Sequence, residues 1–302
     1  MENKDKIKIN VYICTENCVN LMRKIVFVVF FASLAMLFVG TGCTDKKTTS
    51  DSSVSVDSML TDTLGTDSME ALIEDEPMPK AADELFDDFI FNFAANRKLQ
   101  MERVAFPLAV IRNGQVTQVG KDSWQMERFF MRQDFYTVLF DDEKQMELVK
   151  DTSVSRAIVE KIYFNTGAVQ QYKFRRVNGA WMLLEVQTEP IASNRNASFL
   201  QFYHHFVTDS VFQSESLGET VKFIAPDPDD DFAQMEGYLT PDTWPAFAPE
   251  LPDRMIYNIV YGQPKEKSHS KIFVMRGIAN GLELEMTFRQ HDGRWQLVKL
   301  VN

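Results

Sequence analysis

The second half of the 302-residue chain repeats the first half, and this repetition restricts the fold more than any other feature of the sequence. Residues 155–187 align with residues 269–301 without a gap, at a constant offset of 114. In this register Gly167 matches Gly281, and Trp181 matches Trp295. A self-match of this length predicts two tandem copies of one fold, each with the same order of helices and strands.

The segment before the repeats is typical of an export signal. Met22 precedes Arg23-Lys24, and an apolar run interrupted by a single serine spans residues 25–39. This run of about 15 residues is shorter than the roughly 20 that a membrane-spanning helix needs, and it is typical of a secretory signal peptide. We therefore expect residues 1–21 to be a misassigned upstream start and residues 22–42 to be the signal peptide.

The signal ends in small residues and Cys43, a pattern that resembles a bacterial lipobox. The resemblance implies a lipid-bearing Cys43, with acyl chains such as palmitate as the membrane anchor. Cys14 and Cys18 lie in the upstream segment. A metal site built on these two cysteines would lack a second pair of ligands. Removal of residues 1–42 leaves only Cys43 of the 3 cysteines, so we expect no disulfides.

Residues 43–82 are predicted to form a disordered tether. The segment is rich in Ser, Thr and Asp, and it lacks the apolar surface needed to form a core. Ser58, Thr63 and Ser68 each follow an aspartate and precede an aliphatic residue. These sites look like acceptors of the general O-glycosylation system of Bacteroidetes, although chance adjacency explains them equally simply. The net charge of −11 argues against nucleic acid as a partner.

Each repeat begins with an amphipathic helix rich in phenylalanine. Phenylalanines recur at a spacing of four residues, which places them on one helical face. Ser198 is a candidate N-cap of the second helix. The predicted core residues are Phe89, Phe93, Trp181, Phe202, Phe206 and Trp295.

The second part of each repeat is predicted to be antiparallel sheet. Asn113-Gly114, Asn178-Gly179 and Asp292-Gly293 are typical of two-residue hairpin turns. A further strand is expected in each copy, near Gln145–Val149 and Met255–Tyr261. A short helix capped by Asp122 is also predicted in the first copy, and a Pro-rich turn at 240–245 replaces it in the second. A helix layer over a curved sheet is an α+β cone.

This order of elements, with Phe-Arg-x-x-x-Gly-x-Trp-x-Leu near its end, resembles the nuclear transport factor 2-like fold. Two such copies behind a lipobox resemble the Bacteroidetes family catalogued as domain of unknown function 4348. The resemblance implies two cystatin-like cone domains, at residues 83–191 and 192–302. It implies no established substrate, because the wider fold includes isomerases, dehydratases and non-catalytic binders.

The sequence predicts no catalytic residue, cofactor or metal site. His204 and His205 are adjacent on a helix and therefore point in different directions. The acidic run from Asp227 to Asp231 lacks the glycine and glutamate of a calcium loop. Asp134 beside Tyr136 could be imagined as an acid–base pair, but one such dipeptide pattern carries little information.

Three functional classes remain open. The first is a non-catalytic envelope lipoprotein whose cones bind a small molecule, a glycan fragment or a protein. The second is an isomerase- or dehydratase-like enzyme with an apolar cone pocket, and the third is a scaffold with filled cones. We expect the outer membrane, facing the periplasm, because no acidic run follows Cys43; the cell surface is the alternative. The short join between the copies predicts a monomer with an internal pseudo-dimer.

Overall fold

The computed structural model describes residues 83–302, except residues 228–229 and 264–267. The predictions for the signal segment, the tether, Cys43 and the three glycosylation sites lie outside this range. Among the described residues, no helix is long and apolar enough to cross a membrane.

The described chain contains five helices and twelve strands. The helices are α1 (Phe86–Ala95), α2 (Arg97–Arg103), α3 (Glu143–Met146), α4 (Ala197–Thr208) and α5 (Ser210–Glu215). The strands are β1 (Val104–Arg112), β2 (Gln115–Val119), β3 (Phe135–Phe140), β4 (Arg156–Tyr163), β5 (Ala168–Val177), β6 (Ala180–Pro190), β7 (Leu217–Asp227), β8 (Asp230–Leu239), β9 (Met255–Tyr261), β10 (Ser270–Gly277), β11 (Glu283–His291) and β12 (Arg294–Val301).

Each half begins with two consecutive helices, and a polar side chain separates them in both. The Asn96 side chain accepts a hydrogen bond from the Leu99 amide at the start of α2. At the equivalent place Asp209 accepts from the amides of Val211 and Phe212. Short polar side chains at these positions end one helix and cap the next.

The predicted N-cap at Ser198 is wrong, because α4 begins at Ala197 and Asn196 precedes it. Ser198 lies in the first turn of the helix, where its Oγ accepts a hydrogen bond from Trp295 Nε1 at 3.1 Å. The serine thus joins the helix to the terminal strand.

The strands form two six-stranded sheets, in the orders β2-β1-β6-β5-β4-β9 and β3-β10-β11-β12-β7-β8. The meanders are antiparallel as expected, but β1 pairs with β6 in parallel, and so does β7 with β12. The predicted turns Asn113-Gly114, Asn178-Gly179 and Asp292-Gly293 have positive φ at both residues. Helices packed on these two mixed sheets confirm the α+β prediction.

The two halves exchange one strand each. Strand β9 comes from the second half but pairs with β4 of the first, with Val260 opposite Ile158. Strand β3 comes from the first half but pairs with β10 of the second, with Phe140 opposite Ile272. Since Ile158 and Ile272 are equivalent in the repeat, the exchange is reciprocal. Each of the two sheets therefore contains residues from both halves.

Two local predictions for the first half were wrong. Residues 145–149 are not a strand, because Asp142 caps α3 by accepting from the Gln145 amide, and a 3₁₀ turn follows at Glu147–Lys150. The strand is instead β3, whose apolar residues are covered on both sides. The helix predicted after Asp122 is replaced by two 3₁₀ turns, and Asp122 makes no capping hydrogen bond.

Aromatic side chains fill the core of each half. In the first, Phe89 and Phe93 pack on Phe174 of the sheet, with ring centroids 5.8 and 5.4 Å away. In the second, Phe206 lies 5.4 Å from Phe288. The side chains named from the sequence, Phe89, Phe93, Trp181, Phe202, Phe206 and Trp295, are all buried.

Polar side chains connect the halves where the strands cross. Thr137 of β3 donates from Oγ1 to the Tyr257 carbonyl of β9 and accepts from the Tyr257 amide, at 2.7 and 2.9 Å. The buried carboxylate of Glu160 accepts from the side-chain amides of Asn258 and Asn194, at 2.7 and 2.8 Å. These bonds satisfy groups that would otherwise be buried at a cost.

A second buried group lies beside this crossing. Asp141 forms an ion pair with Lys271 of β10, and its second oxygen accepts from Arg195 at 2.7 Å. The Lys271 ammonium also donates to Asn196 Oδ1 at 2.6 Å. The end of β3, the join between the halves and β10 are thus held together.

Candidate ligand-binding groove

A groove of about 770 Å³ opens on the second half, between α4, α5 and the hairpin of β11 and β12. This volume is in the range of sites that hold small molecules. Aromatic side chains line its floor, and polar side chains line its rim.

The floor consists of Phe202, Phe212 and Trp295. The Phe202 and Phe212 rings are 5.9 Å apart, and Trp295 packs edge-on against Phe199 at 5.3 Å. Because its Nε1 donates to Ser198, the Trp295 indole is held in one orientation. The floor is therefore preorganised for a ligand with an apolar face.

The rim carries hydrogen-bonding groups of several kinds. Gln201, His205, Glu215 and Arg294 are exposed around the groove. The His205 ring packs edge-on against Phe212, with centroids 5.4 Å apart. The rim can thus both donate to and accept from a ligand's hydroxyl or carbonyl groups.

The equivalent place in the first half is occupied by the chain itself. Arg103 takes the repeat position of Ser216 and forms an ion pair with Asp83 at 2.7 Å. Arg103 also reaches the Trp181 carbonyl at 3.5 Å, and Asp83 accepts from the Trp181 amide at 3.4 Å. The copies therefore differ here because a small serine in the second half replaces an arginine in the first.

A polar cluster in the first half provides a different kind of site. Glu127 Oε1 accepts from Lys161 Nζ at 2.6 Å and from the Phe129 amide at 2.9 Å. Its Oε2 accepts from the Tyr172 hydroxyl at 2.6 Å. Burial, and then the Glu127 charge, raise the pKa of Tyr172 far above its usual value, so the phenol stays protonated. With both oxygens of Glu127 engaged, the cluster fits a structural role better than a reacting base.

The polar residues considered from the sequence do not form a reactive constellation. Asp134 is exposed, whereas Tyr136 is buried against Phe130, with ring centroids 5.3 Å apart. His204 stacks on Phe164 at 5.1 Å. Across the described part of the chain, no group of three or more His, Cys, Asp or Glu side chains could hold a metal ion.

A family model described as "Domain of unknown function (DUF4348)" matches residues 65–302. The chain belongs to the DUF4348 family. A solved structure of a nuclear transport factor 2-like protein from Bacteroides fragilis NCTC 9343 is 41% identical to this DUF4348 chain. The match covers 74% of this chain and 98% of that one, with a TM-score of 0.67. None of the curated proteins matches this member of the family.

The sequence did not indicate the groove in this DUF4348 protein. His205 was considered only as a metal ligand, and Trp295 and Phe202 only as core residues. The available signal was the difference between the copies, since Arg103 aligns with Ser216 at the offset that aligns Phe89 with Phe202. Where a long cationic side chain in one copy is replaced by a small residue in the other, the second copy has room for a cavity.

Proposed function

We propose that the protein is a non-catalytic, lipid-anchored envelope protein that binds a small ligand in the groove of its second half. The observation that supports this most is the fixed aromatic floor surrounded by exposed polar side chains. Such a combination of apolar surface and a few polar groups is characteristic of ligand sites.

The groove best fits a glycan fragment. A sugar ring offers an apolar face to Phe202, Phe212 and Trp295, while its hydroxyl groups can bond to Gln201 and Arg294. Binding is favoured over catalysis because aromatic side chains occupy the cone interiors, where an isomerase-like enzyme would need its pocket. The carboxylate–tyrosine cluster around Glu127, moreover, is engaged in internal bonds at both carboxylate oxygens.

The anchor and location are proposed from the sequence. Cys43 carries the acyl chains, and the following tether places residues 83–302 away from the outer membrane on its periplasmic side. Glycans on Ser58, Thr63 and Ser68 would keep this tether extended and soluble.

Native mass spectrometry of the full chain, purified from its own host in mild detergent, tests the groove. We expect the protein to retain a carbohydrate mass, and the Gln201→Ala/Arg294→Ala variant to lose it. Arg97→Ala is the matched control, because Arg97 is exposed on α2, far along the chain from the groove. Absence of any carbohydrate on the wild type, or full retention by the double variant, would contradict the proposal.

A further inference from the structure

Each sheet carries a shallow basin on the face that points away from its own aromatic core. The first basin, of about 390 Å³, is lined by Arg156, Ile158, Lys173, Arg175, Leu184 and Glu185, together with part of Phe174. Alternation along β4 puts Ala157 and Val159 in the core and their neighbours Arg156 and Ile158 on the basin side.

The second basin, of about 580 Å³, occupies the same position in the repeat. At the offset of 114, Ile272 replaces Ile158, Arg289 replaces Arg175 and Val298 replaces Leu184. Both basins therefore combine aliphatic residues with an exposed arginine. An exposed arginine beside aliphatic residues is thus the feature that the copies share here, whereas Arg156 and Lys173 are replaced by Ser270 and Thr287.

More basic than acidic side chains line both basins of this acidic protein. Three basic side chains and one acidic side chain line the first basin. Four basic side chains, including Lys144 and Lys222, and two acidic ones line the second. Because the chain has a net charge of −11, the excess of basic side chains distinguishes these linings, and their arginines can attract anions.

Neither Arg175 nor Arg289 takes part in the ion pairs found in the basins. Lys173 pairs with Glu185 at 2.6 Å in the first basin. In the second, Lys222 pairs with Glu236 and Lys299 pairs with Glu285, both at 3.0 Å. Arg175 and Arg289, in contrast, are exposed at the surface of β5 and β11. Guanidinium groups in this setting can bind carboxylates with two parallel hydrogen bonds.

We propose that the two basins bind acidic, aliphatic segments of a partner protein, one segment in each basin. The arginines match the carboxylates, while Ile158 with Leu184 in the first basin and Val298 in the second offer surface for aliphatic side chains. The floors are aliphatic, and the Phe174 ring is buried in the core, so a peptide fits better than a stacked sugar ring. Two basins on one body also favour a partner with two such segments.

Isothermal titration with the peptide Glu-Glu-Leu-Glu-Glu-Leu-Glu-Glu tests the proposal on the full chain in mild detergent. We expect two peptides to bind each protein, with an affinity that falls as salt is raised. Arg175→Glu and Arg289→Glu should each reduce the stoichiometry to one, and the double variant should bind at least tenfold more weakly. Arg97→Glu, which reverses an exposed arginine on α2, should keep both sites.

Four outcomes would overturn the inference. Unchanged binding by the double variant, or equal weakening by Arg97→Glu, would show non-specific attraction. Equally tight binding of a peptide with serine in place of leucine would show that the aliphatic surface is not used. Binding of heparin without binding of the peptide would assign the basins to anionic glycans instead. The basins and the groove have no lining residue in common, so either proposal can fail alone.

Discussion

At the scale of single residues, Asp141 and Lys271 face each other between the end of β3 and β10, with 6% and 5% of their side chains exposed. Burial alone would raise the pKa of Asp141, but the hydrogen bonds and charges of Lys271 and Arg195 hold it below its usual value. Burial lowers the pKa of Lys271 in spite of the carboxylate beside it. The attraction within the pair is thus partly offset by the cost of removing the ammonium from water.

We predict that Asp141→Asn lowers the free energy of unfolding by about 3–5 kcal/mol, because it leaves the Lys271 charge buried without its carboxylate. The double variant Asp141→Leu/Lys271→Met should recover most of this loss, since an apolar pair does not have to be desolvated. Urea unfolding measures both values. Asp242→Asn, at an exposed aspartate, is the control. A single variant within about 1 kcal/mol of the wild type would show that the pair contributes little.

The same pair gives a pH dependence of defined sign. A depressed carboxyl pKa contributes stability above the unfolded value of 3.8, and this contribution is lost as the pH falls through the folded pKa. The Asp141→Asn variant should therefore lose less stability than the wild type when the pH is lowered below about 4. Urea unfolding of both proteins over a series of pH values makes the comparison.

The four tryptophans show how far single residues could be predicted. Trp181 and Trp295 are recognisable as equivalent because the surrounding repeat has no gap. Trp124 and Trp244 are equivalent too, since their indoles donate to Gln100 and Gln213 at 3.1 and 2.9 Å. This second pair is hidden in the sequence because its offset is 120, whereas the helices and sheets repeat at 113 and 114. Loops of unequal length conceal an otherwise simple correspondence.

At the scale of elements, the hydrophobic pattern predicted most strands but not their partners. Met255–Tyr261 was predicted as a strand of its own copy, and it is a strand, but it lies at the edge of the other sheet. An apolar run indicates that a strand is buried, but it does not indicate which half of a duplicated chain covers that strand. For the same reason β3, apolar on both faces, could not be assigned to β10 from the sequence.

The exchange predicts how an isolated half behaves. Residues 83–191 contain β4 without β9 and β3 without β10, so two strand edges are left unpaired. We expect this fragment to form a two-fold dimer in which β3 of each copy pairs with β4 of the other, as β9 does in the intact chain. Light scattering coupled to size-exclusion chromatography measures the mass. A folded monomer with cooperative thermal unfolding would contradict this expectation.

At the scale of the whole molecule, the exchanged strands and the crossing around Thr137, Glu160 and Asp141 lie within a single compact unit. The join between the halves runs through a 3₁₀ turn at Ile191–Ser193 and leads directly into α4. Residues 194–196 of this join contribute to the polar bonds at the crossing. Movement of one half against the other would therefore require these bonds to break.

We predict that the fragment from residue 83 to residue 302 scatters X-rays as one monomeric particle. The usual scaling with chain length gives a globule of this size a radius of gyration of about 17 Å, and two lobes raise this value modestly. Small-angle scattering at several salt concentrations makes the measurement. A radius of gyration well above this value, on the order of 24 Å or more, or one that changes with salt, would indicate two independently moving halves.

The strand exchange also sets the order in which the protein can be completed. Strand β3 ends at Phe140 and must wait for β10, which begins only at Ser270 near the end of the chain, before its backbone hydrogen bonds can form. A chain that is synthesised from its N-terminus cannot finish its first core until nearly all of it is available. Such distant pairing slows folding, and the unpaired edges stay exposed in the meantime. A newly synthesised molecule thus needs its own C-terminal half to cover the strand edge that its first half leaves open.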